Sequence, residues 1–452
     1  MKRREMLGSI GALSVGLATP RLSQGEQLAP PYQVHRQELE TDILVIGGGT
    51  AGTIAAIQAG RAGQRTVLIE AGSQLGGTTT VGGVSFPGIF FAWGKQVIGG
   101  IGWELVQEAV AMNDDTLPDF SIPHGRQHWR HQVRLNGHIY ALLAEEKCLE
   151  AGVQIRYYET PVKLDFQQDR WKVKTMGKGV HATILCKQVI DCTGNALPSS
   201  IAGFNLLREE ETQPGTLQFR LEGYDYESLD ADLIRQRYKE ALENGELIRE
   251  EFRGNIMGLL KGHGDNIQHI LGADSTTSET HTAANIDGRR SLLKHLRFLR
   301  TLPGCEKTWL RDMQTETAVR ETYRIDGHHK ITKEEYVTGK VFEDALSYSY
   351  YPIDLHDKHG VIPAHLEEGV VATIPLRALI PKKSRNFIVA GRCLSSDRLA
   401  NSALRVQASC MGMGQAAACA ATLANTKGTT PLEVPFDELR QLIESHGGIV
   451  PA

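Results

Sequence analysis

Residues 42–52 read Asp-Ile-Leu-Val-Ile-Gly-Gly-Gly-Thr-Ala-Gly. Ile43–Ile46 is a short apolar run of the kind that forms a strand buried on both faces of a parallel sheet. It leads straight into Gly47, Gly49 and Gly52 in a GxGxxG spacing, and the pattern then predicts a helix over about 51–62. Gly47 permits the tight turn, Gly49 lets the backbone approach a pyrophosphate, and Gly52 lets the helix pack closely on the strand. Thr50 and Ala51 stand at the positive end of that helix, where unpaired N–H groups favour an anion. Thr66–Glu70 reads as a second buried strand, which completes a βαβ unit. Glu70 ends it about 20 residues past Gly49, where a carboxylate can accept hydrogen bonds from a ribose and disfavours a 2′-phosphate. Ala71 follows it on the path of the nucleotide.

Two further glycine-rich segments suit a ligand longer than a nicotinamide dinucleotide. Gly76-Gly77-Thr78 offers backbone N–H groups and a hydroxyl soon after the ribose acid. Near the other end of the chain, Phe387–Ala390 is a buried strand ending in Gly391-Arg392, and Gly412-Met413-Gly414 is expected to open a small-residue helix. A helix N-terminus aimed at a flavin pyrimidine would stabilise the negative charge of the reduced ring. These features point to FAD.

At this point the chain resembles a known family. Ile43–Gly52, Glu70–Thr79, Gly99-Gly100, Asp191–Gly194, Arg320–Gly327, Tyr351–His356, Ile374–Leu379 and Asn386–Ala420 together look like bacterial FAD-dependent oxidoreductases, themselves distantly similar to the fumarate reductase flavoprotein and thiazole synthase group. The resemblance implies that Gly47, Gly49, Gly52 and Glu70 hold the ADP half, and that Gly76, Gly77 and Thr78 line the path to the isoalloxazine. It further implies that Val162, in a Thr160-Pro161-Val162 turn, presents its backbone to the adenine, and that Thr193-Gly194 lies beside the pyrophosphate. Gly391-Arg392 would approach the ribityl chain, and Gly412–Gly414 the pyrimidine. Asn195 departs from the aspartate that often follows Thr-Gly. Related enzymes can carry a covalent histidine link between the ribose acid and the Gly-Gly pair; Glu70 to Gly100 contains neither histidine nor cysteine, so dissociable FAD is expected.

The expected fold class is α/β: a Rossmann-like FAD-binding domain of three layers, with a parallel sheet plus a β-meander, interrupted by an α+β substrate or cap domain. The FAD-binding domain would comprise 40–205 and 373–430, the cap 206–372, and a C-terminal tail 431–452. The cap stretch is richer in charge and lacks glycine-rich turns. Residues 21–39 read as a polar linker. Strand-like runs fall near 153–158, 171–175 and 181–190. A helix is predicted over 137–151 with Ile139, Leu142, Leu143 and Leu149 on its apolar side. No second GxGxxG follows a strand in mid-chain, so a separate NAD(P)H domain is not expected.

Composition bounds the function. The chain has 452 residues, 41% of them hydrophobic, and a formal net charge of −4, which gives no basic field for nucleic acid. Seven cysteines form no CxxC pair, so neither a redox dithiol nor a zinc knuckle is expected, and no metal site is. Lys2-Arg3-Arg4, then Glu5-Met6-Leu7 and an uncharged stretch from Gly8 to Pro20, resemble a twin-arginine export signal within 1–30, and that stretch is too short to span a bilayer. A periplasmic or exported protein is the expectation, with a cytoplasmic one as the alternative. No later segment reads as transmembrane.

Candidate catalytic residues cluster in two stretches. Arg320 and Arg324, at i and i+4, would clamp a carboxylate from one helix face. Tyr351 and His356, in Tyr348–His356, are acid or base candidates. Arg405 is a further anion-binding candidate. The expected function is hydride transfer between flavin N5 and a small polar substrate, with a quinone, a carrier or oxygen as electron partner. The alternatives are a non-redox flavin-dependent isomerase or hydratase, or a nucleotide-binding protein with structural FAD.

Overall fold

The computed structural model describes residues 33–122, 126–357, 360–361 and 363–452; the expected export signal lies outside the described residues. The FAD-type body begins with β1 (His35–Ile46), α1 (Thr50–Arg61) and β2 (Thr66–Glu70), followed by α2 (Ile101–Met112), α3 (Gly137–Glu150), β3 (Gln154–Tyr157), β4 (Glu159–Gln167), β5 (Arg170–Gly177) and β6 (Val180–Asp191). β1 lies parallel between β2 and β6, and β3 joins the far edge of β2. β6 serves two partners. Its first half pairs antiparallel with β5, which pairs with β4, forming the meander. Its last residues, Val189–Asp191, pair parallel with a late strand at Phe387–Val389.

Alternation along β1 explains why it sits at the centre. Ile43 and Val45 join the core under α1, while Leu44 and Ile46 join the core on the opposite sheet face with Val67, Ile69, Val173 and Ile184. Side chains alternate across a strand, so an unbroken apolar run fills both layers. Each such side chain contributes about 1.5–3 kcal/mol on burial.

Three expectations need correction. The polar run 35–40 is strand, not linker: its ladder to β6 runs from His35 opposite Val180 to Ile46 opposite Asp191. Its side chains are largely exposed, so polarity hid a backbone that β6 organises. The Thr160-Pro161-Val162 stretch is likewise inside β4. In α3, Asn136 caps the N–H groups of His138 and Ile139 (3.0 and 3.4 Å), but the buried side is Tyr140, Leu143, Ala144 and Cys148; Leu142 and Leu149 are exposed.

The inserted region opens with β7 (Leu206–Leu207), continues through β8 (Phe219–Glu222), α4 (Ala231–Glu243), β9 (Gly264–Asp265), α5 (Ser278–Leu299) and β10 (Trp309–Met313), and closes with β11 (Arg324–Ile325). β9, β8 and β10 form a small antiparallel sheet. Its separate core runs from Leu217 to Val319. β7 and β11 pair with each other, Leu207 opposite Arg324, so the outgoing and returning chains form one ribbon. Beyond that ribbon, Ile331, Tyr336, Leu346, Ile353 and Ala372 belong to the body's core, although the sequence groups 325–372 with the insertion. β12 (Ala345–Ser349) and β13 (Ala372–Pro375) pair there. β14 (Phe387–Val389) then leads to α6 (Gln407–Lys427), which is buried almost all round and packs on α1. Among the described residues no helix is long and apolar enough to cross a membrane.

Candidate active site

Strand β1 delivers Gly47 at φ +97°, a left-handed conformation that side chains disfavour. There is no space for one either: a Cβ on Gly47 would lie 2.8 Å from the carbonyl carbon of Cys192. Gly49 differs, because its Cβ position is open, 4.0 Å from the nearest neighbour, the Cys192 carbonyl oxygen. No side chain caps α1 at Gly49, and its first turn holds no acid. The uncapped N–H groups therefore face a cavity of about 670 Å³ lined by Gly47, Gly49, Thr50 and Ala51. These are the features a pyrophosphate requires.

The second glycine loop is built onto the first. The Gly76 N–H donates to the Gly48 carbonyl (2.9 Å), Thr50 Oγ1 donates to the Gly76 carbonyl (3.3 Å), and a Cβ on Gly77 would come within 2.8 Å of the Gly49 Cα. Gly77 and Thr78 line the cavity while Gly76 shapes the loop behind them. Glu70 and Ala71 also line it. Each Glu70 oxygen accepts a backbone N–H, from Gly48 and Gly72, both at 2.6 Å. Burial raises the Glu70 pKa, and those two N–H groups oppose the rise. A carboxylate oxygen has two lone pairs, so Glu70 splints the loop and keeps acceptor capacity for a ribose.

Asp191 organises the far wall, a role the sequence did not single out. Fully buried, it accepts from the N–H and Oγ of Thr193 (3.1 and 2.7 Å) and of Ser199 (3.2 and 2.6 Å), which fixes the Thr193-Gly194 turn. Arg392 donates from Nε to the Gly194 carbonyl (2.7 Å) and from Nη1 to the Val319 carbonyl, joining body to cap. Asn195 donates to the Ser275 carbonyl in the cap (3.2 Å) and accepts from the Leu197 N–H (3.1 Å); an aspartate could not make the first contact.

Several expected cofactor residues stand elsewhere. Gly52 does not line the cavity; it makes the close strand–helix contact expected of the third glycine, a Cβ there lying 1.8 Å from the Gly47 oxygen. Val162 is 48% exposed on β4, and Glu159, Thr160 and Pro161 line the cavity instead. α6 begins at Gln407, not Gly412. Gly412, Met413 and Gly414 are inside it, and Gly414 lets the helix touch α1, its Cβ position lying 2.2 Å from the Ala51 oxygen. Val406, Gln407 and Cys410 line the cavity in their place, along with Gly391 and Arg392.

At the other end of the same cavity stand Arg253, Arg320, Tyr351, Asp354, His356 and Arg405. Arg320 lies outside any helix, and Arg324 enters β11, so the two do not share a helix face. Arg324 is buried away from the cavity and pairs with Glu209. Arg320 donates to the Pro214 carbonyl (2.6 Å). Arg405 donates to Gln213 Oε1 and to the Asp354 carbonyl, both at 3.3 Å, and stands 3.7 Å from Asp354 Oδ2. Burial and the neighbouring Arg405 lower Arg320 to about 9, which leaves it cationic at neutral pH.

His356 Nε2 lies 3.1 Å from Asp354 Oδ2, and its Nδ1 lies 3.1 Å from His269 Nε2. Burial would raise the Asp354 pKa, but the His356 contact and both arginines hold it at about 2. Burial and Arg320 lower His356 to about 4, and burial and Arg320 lower His269 to about 3. Both rings are therefore neutral at pH 7. The ionised carboxylate only accepts, so His356 carries its proton on Nε2 and its Nδ1 accepts from His269. With both nitrogens engaged, His356 is no free acid or base near neutrality, contrary to expectation; it holds Asp354 in place. Tyr351 is different. Its Oη accepts from Gln132 Nε2 (3.0 Å), and burial keeps its pKa above the usual phenol value, so its O–H remains a donor. Arg253, His269 and Gln213 carry no local sequence signal, and Asp354 lies within the Tyr348–His356 stretch without being singled out; only the fold brings them together. Among the described residues no group of three or more His, Cys, Asp or Glu side chains is placed to hold a metal ion.

Fold and cradle define an FAD-binding oxidoreductase of the dinucleotide-binding class. Residues 42–443 match the family described as FAD dependent oxidoreductase, and the chain belongs to that family. Its cofactor is FAD. Over 82 residues it is 35% identical to nicotine dehydrogenase of Pseudomonas putida (strain DSM 28022 / S16), a match covering 17% of each chain; the chain thus spans about a sixth of that relative. Among solved structures it is similar to a geranylgeranyl bacteriochlorophyll reductase-like protein from Thermoplasma acidophilum (14% identity, 91% of this chain and 85% of that one, TM-score 0.42). It is also similar to p-nitrophenol 4-monooxygenase from Pseudomonas putida DLL-E4 (12% identity, 91% and 84%, TM-score 0.41).

Proposed function

We propose that this enzyme transfers hydride between flavin N5 and a small organic acid whose carboxylate is held by Arg320 and Arg405. When bound, FAD supplies the two-electron acceptor or donor. The observation that carries the reading is the convergence of Arg253, Arg320 and Arg405 on one cavity end, with Asp354 as the carboxylate among them. A planar guanidinium recognises a carboxylate through paired N–H groups. The His356 contact holds Asp354 so that Arg405 stays 3.7 Å from its oxygen, leaving guanidinium N–H groups for substrate. Tyr351 donates its O–H to substrate oxygen and holds the mobile proton there.

The same reading takes FAD as dissociable. Cys192 and Cys410 line the cavity, but burial pushes Cys410 up to about 12, and a protonated thiol is a poor nucleophile. A quinone, a carrier or oxygen completes the turnover, and the N-terminal sequence supports export. The experiment is anaerobic mixing of the flavoprotein with small hydroxy acids, unsaturated acids and their uncharged amides. Bleaching of the flavin, or reoxidation of the reduced form, by acids and not amides is expected. Response to the amides alone sinks the carboxylate reading.

A further inference from the structure

The outer helix of the cap, α5, presents a stripe that the redox site does not use. Ile286, Arg290, Leu293, Arg297 and Arg300 follow one another at intervals of four and three residues, and all are exposed. That spacing places them along one face of a helix. Ile286 and Leu293 are 46% and 48% exposed, unlike the buried Ala284, Leu292, Phe298 and Leu299 of the inner face. Apolar side chains one full heptad apart, each left in water, mark an unpartnered face rather than a scattered pair.

The charge around them is one-sided. Arg289 donates to the Thr315 carbonyl and Arg300 to the Thr308 carbonyl, both at 2.7 Å; these neutral partners leave both charges uncompensated. Arg297 makes no hydrogen bond or ion pair among the described residues. Lys294 is turned inward to Glu251 (3.2 Å). Asp287 balances Arg290 (3.2 Å), and Glu279 stands a turn and more away at the other end. The whole chain carries −4, so this cationic patch is local, not a reflection of overall composition.

We propose that this face docks the cap onto an anionic phospholipid surface: Ile286 and Leu293 enter the interface while Arg289, Arg297 and Arg300 meet lipid phosphates. Apolar side chains flanked by arginine fit a boundary that is oily on one side and anionic on the other. A purely acidic protein partner would leave the apolar pair without a match. With no membrane-crossing helix among the described residues, attachment is peripheral and reversible.

The test is co-sedimentation of the full-length, FAD-loaded protein with vesicles of phosphatidylcholine alone, or of phosphatidylcholine and phosphatidylglycerol in equal parts. Binding to the mixed vesicles only, weakened by added salt, is expected. Arg297→Glu should lower that binding roughly tenfold, and Ile286→Ser with Leu293→Ser should lower it at unchanged charge. Both variants lie at the surface and should keep wild-type flavin absorbance and melting temperature. No binding, equal binding to neutral vesicles, or variants that bind as wild type would overturn the proposal. So would self-association that the serine variant abolishes, because a second copy would then occupy the face.

Discussion

A Cβ placed on Gly52 would lie 1.8 Å from the carbonyl oxygen of Gly47, so helix α1 and strand β1 touch through bare backbone. Gly52→Ala must push them apart and should destabilise the protein by about 3 kcal/mol or more. Gly49→Ala is the contrast, because its Cβ would project towards the cavity without meeting protein. That variant should melt like wild type yet bind FAD about tenfold or more weakly, equivalent to roughly 1.4 kcal/mol. Thermal melts and flavin titration separate the two; equal loss of stability in both would refute the assignment.

Glu70→Gln tests the splint between the two loops. The substituted amide offers one oxygen to the two N–H groups of Gly48 and Gly72 and turns an NH₂ group towards the other. An unsatisfied N–H costs about 1–3 kcal/mol, so FAD affinity should fall by about ten- to a hundredfold with modest change in melting temperature.

Arg405→Lys and Arg324→Lys should part company. Arg405 lines the cavity, whereas Arg324 is a buried strand residue paired with Glu209. Lysine at 405 keeps the charge and loses the planar fork, so flavin reduction by an acid substrate should slow by about a hundredfold with flavin content intact. Lysine at 324 should cost stability and leave the substrate's KM near wild type.

Acid should unfold the protein through its neutral histidines. Burial is the largest cause lowering His269 to about 3, and His295 and His356 to about 4. The unfolded chain binds their protons near pH 6.5 and the native chain does not, so stability is full above that value. It is lost as pH falls through the window from 6.5 to 4, by about 2 kcal/mol for each histidine at pH 5. A melting temperature that stays level between pH 7 and pH 5 would contradict the burial assigned to these rings.

What the sequence reveals is what is local. Gly47, Gly49 and Glu70 announce themselves because strand, turn, helix and acid lie within one βαβ unit. Glycine has two uses in α6: Gly412 and Gly414 suggest a helix start, but from inside the helix they allow close approach to Ser347 of β12 and to Ala51 of α1, and the true start at Gln407 carries no capping side chain. The spacing of Arg320 and Arg324 suggested a shared helix face, but the segment between them is not helical and leads into β11, so the two are not brought together: Arg320 lines the cavity and Arg324 pairs with Glu209. Arg253, His269 and Asp354 meet only through the fold. β1 was read too short because its first half is polar and owes its conformation to a partner strand more than 140 residues away, His35 opposite Val180.

Leu207 and Arg324 sit opposite each other in the ribbon that joins insertion to body, so the two cut ends of the body would be neighbours if the intervening module were excised. A different module could be grafted at that seam without rethreading the flavin-binding sheet. Such an exchange would replace Arg253, Arg320 and His269 while retaining Asp354, His356 and Arg405. Half of the surface proposed to recognise substrate is thus interchangeable and half is inherited with the cofactor, which gives this architecture a ready means of changing its ligand while keeping its flavin.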